Sequence, residues 1–177
     1  MSSLRRYAPG FVKHVVWNWK YRSAGIHPEE CPRSLLERLR TLEPDARVLD
    51  LGCGPGNLRA ALRLCGWNGR YIGCDVSEQA IATANRSGDT NAEWHVSTIE
   101  DFPTLDEKVN TICLCESIYY VRVGLVPALL ERCRESLISP GGQILIRIWH
   151  VDQHREYIAL LARMGAEAAP PVYTLYS

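Results

Sequence analysis

Three glycines at alternate positions directly follow a short apolar run, a pattern typical of a ligand-binding turn. Residues 47–51 read Arg-Val-Leu-Asp-Leu, and the glycines are Gly52, Gly54 and Gly56. Glycine has no Cβ, so it suits a tight turn whose backbone must approach a ligand closely. The helix predicted after Gly56 offers free N–H groups to a negatively charged group. We therefore expect a ligand pocket at the end of this strand.

A carboxylate follows at the position that a nucleoside ligand would use. A second apolar run, 70–74, predicts a strand that ends at Asp75, 23 positions after Gly52. An acidic side chain there can accept hydrogen bonds from both hydroxyls of a ribose. In an open parallel sheet, ligands bind in the crevice at the carboxyl ends of the strands. The order of strand, glycine turn, helix, strand and terminal Asp therefore indicates a cofactor site.

The segment from Val48 to Asp75 closely resembles the first two signatures of the class I S-adenosylmethionine-dependent methyltransferases, and the resemblance covers about residues 45–150. The Gly-x-Gly-x-Gly spacing differs from the Gly-x-Gly-x-x-Gly fingerprint of nicotinamide enzymes, which argues against a dehydrogenase. The resemblance implies S-adenosyl-L-methionine as cofactor and S-adenosyl-L-homocysteine as product. It implies the glycines beside the methionine part, Asp50 facing the amino group and Asp75 on the ribose. The cofactor-binding residues expected on this basis are Asp50, Gly52, Cys53, Gly54, Gly56, Asn57, Asp75, Val76, Thr98, Ile99, Glu100 and Cys115.

Two positions depart from the family pattern. The third strand of the family leads to an Asp near the adenine, and Thr98 stands there in this chain. The adenine contact then falls to the Thr98 hydroxyl, the Ile99 backbone, or the carboxylate of Glu100 or Asp101. The second departure is Asn110, where the fourth strand of the family opens with Asp. We interpret it as a modest change at an exposed end of the strand.

Polar and aromatic side chains follow the fourth and fifth predicted strands, where an acceptor would meet the cofactor. A methyl group on a sulfonium is already activated, so the main task of the protein is orientation, which can supply about 7–11 kcal/mol of the barrier. A hydroxyl or amine acceptor must also lose a proton, which favours a nearby base. The catalytic candidates are Glu116, Tyr119 and His150.

Each candidate also has a structural interpretation. Glu116 either orients the acceptor or supports the surrounding loops. Tyr119 and Tyr120 favour a stacking wall over direct chemistry. An imidazole is the best base by its pKa, yet His150 could equally be a solvated residue at a strand end. His95, at the end of a short edge strand, is interpreted as structural.

Alternating apolar runs and amphipathic stretches predict an α/β fold. This alternation favours a three-layer α/β/α sandwich around a doubly wound, mostly parallel sheet of the Rossmann-like methyltransferase type. Ser77 and Asp152 are the expected helix N-caps, and Gly66 and Gly165 are expected to close helices. Strands are expected at 47–51, 70–74, 93–96, 109–115, 143–149 and 170–176, and helices at 34–42, 58–65, 77–86, 125–137 and 152–164.

The C-terminal part is short for the family sheet, whose seven strands end in an antiparallel hairpin. About a dozen residues follow Gly165, which predicts room for one strand. The hairpin is therefore expected to be short or missing: the chain is truncated, it lacks the hairpin, or a partner completes the sheet. An unpaired edge strand invites association, so a homodimer is a candidate assembly.

Residues 1–44 are expected to form a helical segment ahead of a cofactor-binding core at 45–177. Two interpretations of this segment are open. It is a lid that contacts the acceptor and excludes water, or an amphipathic helix whose tryptophans pack in the core. Aromatic and cationic residues interleave in it, among them Lys13, Trp17, Trp19, Lys20 and Tyr21.

Composition places the chain among ordinary globular proteins of the cytoplasm. Twenty basic residues balance twenty acidic ones, which argues against a protein built mainly for nucleic acid. The seven cysteines form no CxxC pair, and no zinc-type spacing is present, so no metal is expected. No run approaches the roughly 18 apolar residues of a membrane span, and the N-terminus lacks the apolar core of a secretory signal.

The leading hypothesis is methyl transfer to an oxygen or nitrogen of a small-molecule acceptor. Residues 116–120 lack the Asn/Asp-Pro-Pro-Tyr/Phe-type sequence of enzymes that methylate planar amines in nucleic acid or protein. One alternative is an RNA or protein methyltransferase that uses the basic aromatic N-terminus as a stacking surface. Another is a non-catalytic partner subunit that keeps the fold for assembly.

Overall fold

Seven strands form one sheet in a computed structural model, which describes residues 10–23, 33–39, 41–169 and 171–176. The strands are β1 (Arg47–Leu51), β2 (Arg70–Asp75), β3 (Ala92–Val96), β4 (Val109–Cys115), β5 (Ile138–Arg147), β6 (Glu167–Ala169) and β7 (Val172–Tyr176). Their order is β3-β2-β1-β4-β5-β7-β6. The first five strands are parallel, whereas β7 is antiparallel to both β5 and β6. The doubly wound, mostly parallel sheet predicted from the sequence is confirmed.

Both faces of the sheet are covered, and this explains the apolar character of the central strands. Successive side chains of a strand point to opposite faces. On β1, Val48 packs into one core cluster and Leu49 into the other. On β4, Cys113 lies on the side of Val48, while Ile112 lies on the side of Leu49. A strand buried on both faces needs apolar residues at nearly every position, as β4 has.

Helices flank the sheet on both sides. In the described ranges they are α1 (Gly10–Ser23), α2 (Arg33–Leu39), α3 (Asn57–Leu64), α4 (Glu78–Asn85), α5 (Val126–Arg132) and α6 (Arg155–Arg163). Ser77 caps α4 as predicted, because its Oγ accepts a hydrogen bond from the Ala80 N–H. Gly66 and Gly165 follow helices with φ of +89° and +81°, which is the conformation expected at a helix end. No helix among the described residues is long and apolar enough to cross a bilayer.

The C-terminal residues form two strands where the sequence predicted room for one. β6 has three residues and β7 has five, and Ala169 pairs with Val172 next to the turn. Only residues 170 and 171 connect the strands, so the hairpin needs very little chain. The expectation of a missing hairpin, or of one supplied by a partner, is therefore wrong, and the expectation of a short hairpin is right.

The region around β5 also differs from its prediction. α5 ends at Arg132, and residues 133–137 continue as a π-helical turn instead of the regular helix expected through 137. β5 begins at Ile138, because this residue pairs with Val109 before a register shift interrupts the ladder. The sequence prediction started β5 only after the Pro-Gly-Gly run that forms this irregularity.

Asp152 is not the N-cap of the last helix. It lies in a 3-10 turn, Val151–Gln153, and α6 begins only at Arg155. The Asp152 carboxylate instead accepts a hydrogen bond from the Arg155 guanidinium at 2.7 Å. The predicted helix therefore starts three residues too early.

Candidate active site

A cavity of about 680 Å³ opens at the carboxyl ends of the parallel strands, below α1. The loops after β1, β2, β3, β4 and β5 all contribute to its wall, as expected for a ligand site of an open parallel sheet. Its volume lies within the range of small-molecule pockets. The lining residues are Lys13, Trp17, Lys20, Tyr21, Asp50, Gly52, Cys53, Gly54, Pro55, Asn57, Leu58, Asp75, Val76, Thr98, Ile99, Glu100, Cys115, Glu116, Ser117, Tyr119, Tyr120, Arg147, Trp149 and His150.

The cavity brings together nearly all residues that the sequence singled out. All the expected cofactor residues line it except Gly56, and so do the three catalytic candidates. Asp101, one of the four adenine alternatives, is exposed and does not line the cavity. Sequence reasoning missed Arg147, although a single charged residue in the apolar run 144–149 is a signal of a functional position. It also missed that Lys13, Trp17, Lys20 and Tyr21 share one face of a helix.

The glycine turn is anchored to the end of β2. The N–H groups of Gly52 and Cys53 both donate to the Cys74 carbonyl, at 2.7 and 2.9 Å. The Gly54 N–H donates to Oδ2 of Asp75 at 2.9 Å. A Cβ on Gly54 would lie 2.8 Å from the Tyr21 hydroxyl, and the backbone there has φ of +54°. A side chain at Gly54 would thus be strained by the backbone and would have to displace the Tyr21 hydroxyl.

Gly56 packs against a neighbouring strand, and its expected place beside the methionine part stays a prediction. Its backbone has φ of +88°, and a Cβ there would lie 2.8 Å from the Trp94 ring. The same ring would lie 2.5 Å from a Cβ on Gly73. Trp94 therefore packs against the backbone of both the turn and β2. Gly56 supports the turn from below and does not line the cavity.

Asp50 carries a buried carboxylate oxygen for which no hydrogen-bond partner is found among the described residues. Its Oδ2 accepts a hydrogen bond from the Tyr71 hydroxyl, whereas Oδ1 has no such donor. Only 2% of the residue is exposed. Burial raises the pKa of Asp50 to about 7, the Asp75 charge adds to the effect, and the Tyr71 hydrogen bond opposes it. The site is therefore prepared for a positively charged group.

Asp75 holds the turn after β2 in shape. Its Oδ1 accepts from the Ser77 N–H at 2.8 Å, while Oδ2 accepts from Gly54. Burial raises its pKa, and these two backbone hydrogen bonds oppose that shift. A carboxylate has about four acceptor positions. Two backbone donors therefore leave Asp75 capacity for the hydroxyls of a ribose.

The loop after β3 is fixed by neighbouring groups. The Thr98 Oγ donates to the Asp101 carboxylate at 2.7 Å and accepts from the Asp101 N–H at 3.0 Å. Arg132 donates to the carbonyls of Glu100 and Phe102. The Thr98 hydroxyl thus already stabilises its own loop, which favours the Ile99 backbone or Glu100 as an adenine contact.

Glu116 is the centre of a polar network after β4. Its Oε1 accepts from Arg147 Nη1 at 2.6 Å and from the Trp149 N–H at 3.0 Å. Its Oε2 accepts from the Tyr119 hydroxyl at 2.9 Å. Glu116 also has φ of +55°, a conformation that costs energy for a residue with a side chain. These three contacts hold its carboxylate in place.

A row of aromatic rings leads from α1 to the start of α6. Trp17 lies 6.0 Å from Tyr21 and 5.1 Å from Tyr120, centroid to centroid. Tyr120 lies 4.8 Å from Tyr119, which stacks on His154 at 4.0 Å. Burial and the neighbouring Glu116 raise the pKa of Tyr119 well above its usual value, so its hydroxyl keeps its proton. His150 lies exposed at the mouth of the cavity.

Polar contacts of Asn18 and Lys13 hold α1 over the cavity. Asn18 Oδ1 accepts from the Ser77 hydroxyl at 2.7 Å and from the Gln79 N–H at 3.1 Å. Lys13 pairs with Glu100 at 2.7 Å.

The tryptophans of α1 do not pack in the core. Trp17 lines the cavity, whereas Trp19 is 67% exposed. The packing interpretation of this helix is therefore wrong, and Trp19 cannot contact an acceptor in this arrangement. The remainder of the N-terminal segment, residues 1–9, 24–32 and 40, lies outside the described residues.

Residues 48–142, just over half of the chain, match the family described as "Methyltransferase domain". The chain belongs to this family. Together with the doubly wound sheet, the match confirms membership of the class I, S-adenosylmethionine-dependent methyltransferase family. The family resemblance inferred from the glycine turn is thus correct.

Relatives of this methyltransferase differ in what they methylate. It is 31% identical over 140 residues to a trans-aconitate 2-methyltransferase of Variovorax paradoxus, covering 78% of this chain and 51% of the relative. It is 38% identical over 141 residues to a ribosomal protein L11 methyltransferase of Burkholderia mallei, covering 78% and 43%. The chain thus spans about half the length of these relatives. The solved DhpI–SAM–HEP complex has the same fold, with a TM-score of 0.68 at 19% identity over 96% of this chain and 99% of the other.

The residues of this methyltransferase fit S-adenosylmethionine, the cofactor of the family. Its ammonium group matches the Asp50 Oδ1, for which no protein donor is found among the described residues. The backbone of Gly52 and Gly54 lines the cavity and admits the methionine part, since neither residue has a Cβ. Asp75 stands at the end of β2 with acceptor capacity for the ribose. The opposite side of the cavity is left for an acceptor.

Proposed function

We propose that the chain transfers a methyl group from S-adenosylmethionine to an oxygen or nitrogen of a small-molecule acceptor. The observation that carries the proposal is the division of the cavity into two ends. The buried Asp50 and Asp75 carboxylates lie at the glycine turn. Aromatic side chains wall the other end, where Trp17 meets Tyr120 at 5.1 Å. Cofactor and acceptor would therefore meet between strand ends that the sheet holds rigid.

Each cofactor residue has a defined task in this proposal. Asp50 binds the ammonium group, Asp75 accepts from the ribose hydroxyls, and the turn from Gly52 to Gly54 presents its backbone. Bound S-adenosylmethionine supplies a methyl group that is already activated by its sulfonium. The Asn57, Val76 and Cys115 side chains complete the wall on this side.

The residues at the acceptor end mainly orient the acceptor and take little part in the chemistry. Glu116 is a positioning residue in this proposal, because its carboxylate holds Arg147, Tyr119 and the Trp149 N–H in place. Tyr119 donates a hydrogen bond to Glu116 and serves as a wall. His150 remains the candidate base for an acceptor that must lose a proton, and its place at the mouth suits exchange with solvent.

We propose that α1 is a lid over this site and that residues 45–177 are the cofactor-binding core. Lys13, Trp17, Lys20 and Tyr21 recur every three to four residues, so they face the cavity together. Asn18 and Lys13 supply the contacts that close it. Closure of such a helix excludes water from the reaction.

A protein acceptor is the second candidate, and the relative named ribosomal protein L11 methyltransferase favours it. The chain spans only 43% of that relative, so the part that would bind a protein substrate need not be shared. The presence of α1 across the cavity favours a small acceptor over a protein side chain. A cytoplasmic location is supported by the six described cysteines, which form no disulfide with one another.

Calorimetric titration with S-adenosylhomocysteine tests the proposal. We expect one site with micromolar affinity, which Gly54→Leu abolishes because a side chain there meets Tyr21. Gly88→Leu is the matched control, since Gly88 also has a positive φ but a Cβ at this position would have no atom within 4 Å. A folded protein that binds no S-adenosylhomocysteine would contradict the proposal and would favour the non-catalytic partner subunit.

A further inference from the structure

Exposed apolar side chains are concentrated at the end of the sheet where the cavity opens. Val96 ends β3, Leu125 directly precedes α5, and Trp149 follows β5, so these residues lie at the carboxyl ends of the parallel strands. Among the residues that the structure describes, the exposed large apolar side chains on this side are Val15, Trp19, Val96, Leu125, Trp149 and Val151. At the opposite end they are Leu64, the last residue of α3, and Tyr176, the last residue of β7. This unequal distribution marks the cavity side as a candidate interaction surface.

The helix α1 presents apolar side chains to solvent instead of turning them towards the sheet. Val15 and Trp19 are one turn apart and therefore share a face of the helix, and they are 62% and 67% exposed. The face that carries Lys13 and Trp17 is turned to the cavity. A surface helix of a globular protein normally directs its apolar stripe to the core. The outward apolar face of α1 therefore fits a helix that lies against a further apolar surface.

The mouth of the cavity has the same apolar character as the outer face of α1. Trp149 lines the cavity and is 60% exposed, with the Arg147 guanidinium carbon 5.1 Å from its ring centroid. Val151 begins the 3-10 turn that follows and is also exposed. Tryptophan combines an apolar ring with a polar N–H, and it is enriched where a bilayer meets water. Tryptophans on α1 and at the mouth therefore favour a lipid surface as the group that covers this side.

The net charge of the chain is divided between the N-terminal residues and the rest. Residues 1–28 contain five Lys and Arg residues and no Asp or Glu, so their formal charge is +5. Since the whole chain has 20 basic and 20 acidic residues, residues 29–177 carry a formal charge of −5. Lys13 is paired with Glu100, and both charges are included in these sums. The part of the chain that contains α1 should therefore be attracted to an anionic surface, whereas the remainder should be repelled.

We propose that the side of the molecule on which the cavity opens docks on an anionic lipid bilayer, with Val15, Trp19 and Trp149 at the interface. Nucleic acid would share the electrostatic attraction, but the exposed aliphatic side chains of Val15 and Val151 favour acyl chains. In this orientation the mouth of the cavity faces the bilayer, so an acceptor dissolved there reaches the site without crossing water. Docking does not depend on the proposed methyl transfer, so vesicle binding and S-adenosylhomocysteine binding can each fail without the other.

Co-sedimentation of the full chain with lipid vesicles measures the docking. One set of vesicles contains phosphatidylcholine and phosphatidylglycerol at about two to one, and the other contains phosphatidylcholine alone, both at about 0.1 M salt. We expect the partition coefficient to be about tenfold higher or more for the anionic vesicles. Anionic vesicles whose acyl chains carry bromine should quench the tryptophan fluorescence of the bound protein. Trp149→Phe should reduce this quenching, because its ring is one of those expected at the interface.

Val15→Glu tests the position of the surface, and Leu64→Glu is its matched control. Each replaces an exposed apolar residue of a helix with a carboxylate and changes the net charge equally, but Leu64 lies at the opposite end and is 90% exposed. We expect Val15→Glu to lower the partition coefficient for anionic vesicles about tenfold or more, and Leu64→Glu to change it less than about twofold. Circular dichroism and thermal unfolding check that both variants are folded.

Three outcomes overturn the inference. The first is a folded wild type that does not sediment with anionic vesicles, and salt-sensitive binding to RNA in that case would assign the surface to nucleic acid. The second is an equal loss of vesicle binding in Val15→Glu and Leu64→Glu, because net charge alone would then explain it. The third is binding without quenching by brominated acyl chains, which would show that no tryptophan reaches the bilayer.

Discussion

Binding of the cofactor product should be coupled to the release of a proton from Asp50. The Asp50 carboxyl has a pKa of about 7 without ligand, raised first by burial. A nearby ammonium group favours the ionised form and lowers that pKa. Below pH 7, binding must therefore displace the proton that Asp50 holds.

The magnitude follows from the ionised fraction of Asp50. With a pKa of about 7, that fraction is about one in eleven at pH 6 and about three in four at pH 7.5. If the bound state keeps Asp50 ionised, the dissociation constant for S-adenosylhomocysteine should be about eightfold higher at pH 6 than at pH 7.5. About 0.9 proton should be released per ligand at pH 6.

The raised pKa of Asp50 also makes stability depend on pH, in the direction opposite to its effect on affinity. The folded pKa of about 7 lies above the ordinary value of 3.8, so the protonated carboxyl stabilises the fold. This contribution is fully present below about pH 4 and is lost as the pH rises through 7. The ligand-free protein should therefore lose stability from Asp50 over the range in which it gains affinity.

Calorimetry in two buffers of different ionisation enthalpy measures both the dissociation constant and the proton release. Asp50→Asn should bind weakly at both pH values, with little proton release. His150→Asn should keep the coupling, which separates Asp50 from the imidazole that also lines the cavity. A dissociation constant independent of pH between 6 and 7.5, without proton release, would refute the assignment of the ammonium site to Asp50.

Three other perturbations test the packing and the network. Gly56→Ala should lower the free energy of unfolding, measured by urea denaturation, by about 1–3 kcal/mol more than Gly66→Ala does. The two glycines have nearly the same φ, but only a Cβ at Gly56 meets Trp94. Equal losses would show that backbone strain alone matters. Arg59→Met should lower the free energy of unfolding by about 3–5 kcal/mol, since Arg59 and Asp89 form an ion pair at 2.6 Å with each side chain 3% exposed. The substitution leaves the buried Asp89 carboxylate with only Arg63 and the Asn91 N–H as partners among the described residues, and a loss below about 1 kcal/mol in urea would contradict this. Glu116→Gln should lower kcat about tenfold or more, because it releases Arg147 and Tyr119. The dissociation constant of S-adenosylhomocysteine should change less than about twofold. If cofactor affinity fell in proportion to kcat, Glu116 would instead contact the cofactor.

Local patterns predict the parts of the fold that depend on neighbouring residues. The bounds of β1 and β4 follow from apolar runs, and the glycine turn with Asp75 identifies the cofactor end of the cavity. Ser77 is identifiable as a cap because the N-cap interaction spans only three residues. These features need no knowledge of the rest of the chain.

Features that depend on distant residues cannot be predicted in this way. The contact of Trp94 with Gly56 joins an edge strand to a turn some 40 residues earlier, which no local pattern records. The engagement of Glu116 depends on Arg147 from the next strand. Both are beyond the reach of motif and periodicity.

The number of strands in the C-terminal hairpin is underestimated from the sequence because these strands are short. Its strands have only three and five residues, whereas the prediction compares the number of residues after Gly165 with the length of ordinary strands. A short antiparallel pair at a sheet edge gives little periodic signal. Its presence is set by pairing with β5.

The hydroxyl of Ser77 serves two helices at once, and this restricts which residues evolution or a designer can place there. Its oxygen accepts from the Ala80 N–H and its hydrogen goes to Asn18 on α1. An Asp would cap α4 equally well. Its carboxylate would face the Asn18 Oδ1, however, and it has no hydrogen to donate to that oxygen. The most common exchange at a helix start would thus leave the core intact and detach the helix above the cavity. Position 77 offers a way to obtain a folded protein in which only the opening of the site has been altered.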